Sequence, residues 1–213
     1  MDKNSHYVIT IGRELGSGGK AIGELMAKEL HIPIYDRSLI MMAAEESGIS
    51  AKEFRKVDEH PHRGSLSNFL RTLSSPFASY GTLYHNSLSH ESLFQFQSEV
   101  ILDKAAQESC IIVGRCSDYI LRNHPRHLRV FIRANYEDRI RFIIDRDKVD
   151  RNSAIDLIEQ TDAVRSDYHN FYSESTWGDS RSYDICLNSS LLGIEGSANY
   201  LLALAREYFS LND

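Results

Sequence analysis

Five short apolar runs, each separated from the next by a stretch that includes helical spacing, constrain this chain more than any other feature. They are Tyr7-Val8-Ile9-Thr10-Ile11, Ile32-Pro33-Ile34-Tyr35, Cys110-Ile111-Ile112-Val113, Leu128-Arg129-Val130-Phe131-Ile132 and Tyr183-Asp184-Ile185-Cys186-Leu187. Such alternation predicts a parallel sheet covered by helices on both faces. Between the first two runs, Ile22, Leu25, Met26 and Leu30 recur at i, i+3, i+4 and i+8, one face of a helix. Leu93, Phe96 and Val100 form a similar stripe ahead of the third run. Asn135 is placed to cap a helix through Ile140, Ile143 and Ile144, with Glu137 and Asp138 in its first turn. Asn152 or Ser153 is placed to cap another through Ile155, Leu157 and Ile158 toward Tyr168. A last helix, near 196–209, turns Leu201, Leu204 and Phe209 back to the sheet.

For 213 residues one core is the economical reading, so 1–213 is taken as a single domain. Within it, 47–92 is too long for a simple crossover. It contains HPHRGS, SSP and YGTLYHNS, yet also Phe69, Leu70, Leu73, Phe77 and Tyr84, and reads as a partly helical insertion over the sheet edge. The insertion either closes over substrate or packs on a second subunit, which leaves a homodimer open. His60 and His62 have nothing nearby to complete a metal site and read as turn or solvated residues.

A net charge of −6 argues against nucleic acid as the main partner, and a small anionic ligand needs only a local cluster of arginines. No apolar run approaches the ~20 residues that span a bilayer, and the first residues lack a signal-peptide apolar region. A cytoplasmic protein without a membrane partner is the expectation. Cys110, Cys116 and Cys186 show no metal-ligand spacing and read as buried free thiols.

The stretch GRELGSGGKAIGEL, residues 12–25, carries the chemistry. Gly12, Gly16, Gly18 and Gly19 stand between an apolar strand and an amphipathic helix. Successive backbone N–H groups and the helix N-terminus then converge on one place and favour an anion there. Lys20 adds a cation, which opposes the helix dipole unless an anion is bound. The alternative is a tight strand-to-helix turn that needs glycine's positive φ. Against the phosphate-loop pattern G-x-x-x-x-G-K-[ST], with Gly19-Lys20 as its G-K, two letters are missing: Glu14 stands for the first glycine and Ala21 for the hydroxyl.

The run VITIGRELGSGGKAIGELMAKELHIPIYDRSLI, together with IIVGRCSDYIL and VRSDYHNFY, resembles the cytidylate kinase-like family, within the P-loop nucleoside monophosphate kinase group. The resemblance covers nearly the whole chain. It implies a three-layer α/β P-loop fold, with a five-stranded parallel sheet in the order 2-3-1-4-5 and helices on both faces. The insertion at 47–92 then lies on the acceptor side, and 146–182 forms a lid-like region. The implied activity is transfer of the γ-phosphoryl group of ATP to a nucleoside monophosphate, CMP or dCMP before others.

In that reading Gly16, Ser17, Gly18, Gly19, Lys20 and Ala21 bind the donor phosphates, Lys20 acts in catalysis, and Arg146 or Arg151 stabilises the transferring group. Arg115 emerges at the C-terminal end of the third strand, where ligands bind in open α/β sheets. Asp162-x-x-Arg165 is spaced i, i+3 and resembles a D-x-x-R that contacts cytidylate in the true kinases, with an ordinary intrahelical ion pair as the alternative. Arg115, Asp162 and Arg165 thus become acceptor residues. Asp36, after the second run, caps the following helix in competition with Ser38, or touches the acceptor or a metal-bound water.

Magnesium is where the chain departs from the pattern. P-loop enzymes hold the ion with a hydroxyl after the lysine and a strand-end acid. Ala21 has no hydroxyl and IIVGR no acid, so Mg2+ rests mainly on the nucleotide phosphates and water. Glu14 either orients a magnesium-bound water, salt-bridges an arginine that shapes the loop, or points to solvent. Two rivals to the implied activity stand: a kinase of the same fold for another small acceptor, and a nucleotide-binding regulator without turnover.

Overall fold

The computed structural model describes residues 6–36 and 90–211. The insertion read over 47–92, with His60 and His62, therefore lies outside the described residues except for its last few positions, as does Ser38. The elements run β1 (Val8–Arg13), α1 (Gly19–Leu30), β2 (Ile34–Tyr35), α2 (His90–Gln107), β3 (Cys110–Val113), α3 (Ser117–Ile120), β4 (His127–Arg133), α4 (Tyr136–Asp147), α5 (Arg151–Tyr172), a 3-10 turn (Ser180–Ser182), β5 (Ile185–Asn188) and α6 (Gly193–Phe209). The strands form one sheet in the order β2-β3-β1-β4-β5, the expected one, and every pairing is parallel.

β1 is central because its residues are apolar on both faces, as a doubly covered parallel strand requires. Side chains alternate between the faces. Ile9 and Ile11 enter a core with Ile22 and Met26 of α1 and Leu201 and Phe209 of α6. Val8 enters the opposite core with Phe96, Val100 and Ile101 of α2 and Ile112 of β3. Parallel register sets Ile11 beside Val113 and Val130, so β1 runs two residues past the end of β3. A third, smaller cluster joins Ile140 and Ile143 of α4 to Ala154 and Ile158 of α5, and Leu15 of the glycine loop packs against it.

Several local readings change. Asn135 occupies the N-cap position of α4, but its side chain caps nothing; its Oδ1 accepts from Asn188 Nδ2 at 3.0 Å. α5 is capped by Asp150 instead of Asn152 or Ser153, since Asp150 Oδ1 accepts from their backbone amides at 2.9 and 3.1 Å. Cys110 and Cys116 are buried, whereas Cys186, on the edge strand, is exposed. Among the described residues no helix is long and apolar enough to cross a membrane.

Asp150→Ala should lower stability by about 0.5–2 kcal/mol and Asn152→Ala by only a few tenths, read as the shift in urea midpoint.

His127 ties β4 to β1 and α3: its Nε2 meets Thr10 Oγ1 at 2.8 Å and its Nδ1 meets Leu121 O at 3.0 Å. A carbonyl only accepts, so Nδ1 carries a proton. Burial pushes its pKa down from 6.5 to about 4. The unfolded chain then binds the proton more readily between those values. Stability should be full above about pH 6.5 and fall toward pH 4 by up to about 3 kcal/mol. The fall should shrink in His127→Gln, measured by denaturant titrations across that range.

Candidate functional site

The loop between β1 and α1 turns on two glycines in the left-handed region, Gly16 at φ 80° and Gly18 at φ 76°. Gly18 is the N-cap of α1, so its helical amides face the loop's concavity. Ser17 donates from N and Oγ to Glu14 O at 3.4 and 2.9 Å. Ser189, after β5, donates to Ser17 O at 2.7 Å, bracing the loop from the other strand.

One buried guanidinium holds the loop from outside. Arg139 of α4, with 7 % of its side chain exposed, pairs through Nη2 with Asp162 of α5 and through Nη1 with Glu14 Oε2 at 3.3 Å. Its Nε donates to Leu15 O at 2.7 Å, and Asp162 Oδ1 accepts from Leu15 N at 2.8 Å. Glu14 Oε2 also accepts from Ala134 N at 3.1 Å. Leu15 is thus gripped by its N–H, its carbonyl and its side chain, all from α4 and α5. Gly16 must lack a side chain because a Cβ there would lie 2.9 Å from Arg139 O.

On the β3 side of the loop, three more arginines gather. Arg115 stands in a run of three left-handed residues, Gly114 (φ 76°), Arg115 (φ 62°) and Cys116 (φ 56°). Two non-glycine residues held there represent local strain of a kind that concentrates at functional sites. Arg115 Nη1 reaches Gln97 Oε1 at 3.5 Å, and Tyr168 Oη donates to the same oxygen at 3.2 Å. Arg165 Nη1 donates to Arg13 O at 3.1 Å. The α5 helix that carries Arg165 and Tyr168 is pinned to α3 by His169 Nε2 and Asp118 Oδ2 at 2.7 Å, both buried.

Cys116 Sγ completes a group with these two in which the ligand atoms lie within 4.8 Å of one another. His169 already spends both nitrogens, on Asp118 and on Ser173 Oγ at 3.1 Å, and burial pushes the Cys116 thiol far up, with Asp118 adding to it. This is a hydrogen-bonded pin.

Desolvation lowers the pKa of Arg13, Arg115 and Arg165 alike, and the positive charges of Arg165 and Arg115 push Arg13 the same way against Asp36 and Asp162. Like charges so arranged attract an anion.

The residues singled out in the sequence divide between the two sides. Asp162 faces the loop with both oxygens engaged, by Leu15 N and Arg139, and also makes the i, i+3 ion pair with Arg165 at 3.6 Å, so its carboxylate is committed within the protein. Glu14 meets Arg139 and Ala134 N. Lys20 Nζ lies 2.7 Å from Asp36 Oδ2 and 3.8 Å from Glu24, on the exposed side of α1. Arg146 is chelated by Asp147 at 2.6 and 2.7 Å, close enough to Arg165 to oppose its charge. Arg151 pairs with Glu137 at 2.7 Å on the surface and does not join the group.

Neither Arg13 nor Arg139 is among the binding or catalytic residues expected from the sequence, although the arginine expected to salt-bridge Glu14 and shape the loop is Arg139. A signal for the first was present: Gly12-Arg13 and Gly114-Arg115 are the same pair of letters at the ends of neighbouring parallel strands.

A protein-held magnesium ion does not fit the described residues. Ala21 offers a methyl group, Glu14 is taken by Arg139 and a backbone amide, and the Asp36 carboxylate is met by an ammonium group. On the β4–β5 side of the loop lies a cavity of about 280 Å³, lined by Gly16, Ala134, Phe142, Ser190 and Ile194 among others.

Replacing Arg139 by Met removes the counter-charge that Glu14 and Asp162 share, leaves Asp162 only its 3.6 Å contact with Arg165, and should destabilise the fold by about 3–5 kcal/mol in urea titrations. Adding Glu14→Gln and Asp162→Asn to Arg139→Met should recover much of that loss.

No curated protein matches the chain. The crystal structure of an uncharacterized protein from Eubacterium ventriosum ATCC 27560 is similar at 27% identity and a TM-score of 0.72, covering 95% of this chain and 99% of that one. Shikimate kinase from Bacteroides thetaiotaomicron shares the fold at 14% identity and a TM-score of 0.51, covering 93% of this chain and 97% of its own. The model of the cytidylate kinase-like family matches residues 8–191, which spans the glycine loop, both arginine groups and all five strands. The chain belongs to the cytidylate kinase-like family and has a P-loop kinase fold.

Proposed function

We propose that the protein transfers the γ-phosphoryl group of ATP to a nucleoside monophosphate, CMP or dCMP before others. The observation that carries this reading is the loop's position between two unlike surroundings. A cavity large enough for part of a nucleoside lies on its β4–β5 side, and a desolvated arginine group lies on its β3 side. The first suits the donor nucleoside and the second an acceptor phosphate, with the glycine loop at their junction.

Phosphoryl transfer asks a protein for positioning and charge neutralisation, not covalent chemistry. The amides of Gly16 to Ala21 cradle the donor phosphates. Arg115 and Arg165 take the acceptor phosphate, and Arg146, once released from Asp147, approaches the transferring group from the end of α4. Any Mg2+ would rest on the nucleotide phosphates and water, with no side chain of the described residues assigned to it. The preference for a cytosine base rests on family membership, since Asp162 is committed to the loop.

A regulator that binds nucleotide without turnover is the second reading, and the poor fit for a protein-held magnesium ion is what favours it. A coupled assay for ADP release with CMP, dCMP, UMP and AMP separates the two. Turnover should be fastest with CMP or dCMP; ATP binding with no turnover on any of the four would leave the regulator. Arg115→Ala should raise the acceptor KM by roughly 10- to 100-fold and the ATP KM by less than about threefold, as expected for loss of a charge-assisted bond to one phosphate.

A further inference from the structure

The pattern G-x-x-x-x-G-K-[ST] places its lysine directly after the last loop glycine, at the start of the helix. In the fold, the last glycine in the left-handed region is Gly18, and the first helical residue is Gly19. Aligned on that geometry, the pattern shifts by one residue from the reading on Gly19-Lys20. Gly19 then stands in the lysine position, Lys20 in the hydroxyl position and Arg13 in the position of the first glycine.

The space at Gly19 shows why. A Cβ built there would lie 2.6 Å from Arg13 Cβ and 3.1 Å from Arg13 Cγ. The stem of Arg13 therefore runs through the volume in which a side chain at 19 would begin, and an arginine at 13 excludes a lysine at 19. Farther along, a Cβ on Gly114 would lie 2.0 Å from Arg13 Nη1 and 2.9 Å from its Cζ, so the guanidinium lies against the bare backbone of Gly114. Two glycines on two elements leave room for one arginine. It crosses from the phosphate loop to the turn that presents Arg115, and its own carbonyl accepts from Arg165. Among the described residues, no carboxylate lies within ion-pair distance of its guanidinium.

Lys20 leaves the loop in another direction. One residue farther along the helix is a rotation of about 100°, and its ammonium group meets Asp36 and Glu24. In the shifted alignment Lys20 occupies the place after the lysine position, where P-loop enzymes carry the hydroxyl that holds magnesium, and its ammonium group meets the acid that follows β2. An ammonium–carboxylate contact there accounts for the poor metal fit.

We infer that Arg13, and not Lys20, is the side-chain cation that binds the donor polyphosphate at this loop, between the loop amides and Arg115. The inference rests on the donor-phosphate reading of the loop given above. Its desolvation and its like-charged neighbours agree with a group completed by an anion.

The test is calorimetric binding of tripolyphosphate and of ATP to the full chain and to Arg13→Met, Arg13→Lys and Lys20→Met. Arg13→Met should weaken both ligands by roughly 10- to 100-fold, Arg13→Lys should hold within about 10-fold, and Lys20→Met within about threefold. Normal binding by Arg13→Met, or a loss of roughly 10-fold or more in Lys20→Met, would overturn the inference. Should Arg13→Met fail to fold by circular dichroism, Lys20→Met decides by the same two limits. If the unsubstituted protein binds neither ligand, this inference and the donor-phosphate reading both fall. If the expected pattern appears without turnover on any nucleotide, the inference stands and the proposed phosphoryl transfer falls.

Discussion

The site depends on the charge balance around Arg139. Its guanidinium is almost fully buried, which is tolerable because two carboxylates and a backbone carbonyl engage all three of its nitrogens. Those same groups belong to the loop and to α5, so satisfying one buried charge fixes three segments relative to one another. A glycine-rich loop is entropically expensive to hold in one conformation, and here the restraint comes from outside it. Leu15 is the point of attachment, with its polar backbone and apolar side chain held by the same two helices.

The two sides of the loop then acquire opposite electrostatic character. Toward α4 and α5 the charges are matched: Glu14 and Asp162 each meet a guanidinium and a backbone N–H. Toward β3 the match is poorer: Arg13, Arg115 and Arg165 are desolvated together, Asp36 is met by Lys20, and Asp162, bound to Arg139, reaches Arg165 only at 3.6 Å. Matched charge gives rigidity and unmatched charge gives affinity for an anion. The chain separates these roles by a few residues of sequence, Arg13 on one side and Glu14 on the other.

Much of the fold was legible because it follows from periodicity and burial, which act locally and repeat. The five apolar runs became five strands in the expected order, and the stripe of Ile22 and Met26 became the buried face of α1. Caps were less legible: Asp150, Asn152 and Ser153 are all competent, and only the direction in which the chain enters α5 selects the first. Cys186 sits in an apolar run yet is exposed, since an edge strand is covered by fewer neighbours than the runs in the middle.

The site was the least legible part. Adjacent glycines at 18 and 19 make the loop pattern ambiguous by one residue, and the sign of φ that distinguishes them is not written in the letters. The Arg139 contacts with Glu14 and Asp162 span long sequence separations and follow no spacing rule.

Arg13 lies in space reserved by Gly19 on one side and Gly114 on the other, positions nearly a hundred residues apart in the chain. These three residues therefore share one steric degree of freedom. A side chain gained at either glycine acts on the arginine, so their substitution energies will not add. The gap between the glycine loop and the turn that carries Arg115 is spanned by a single side chain.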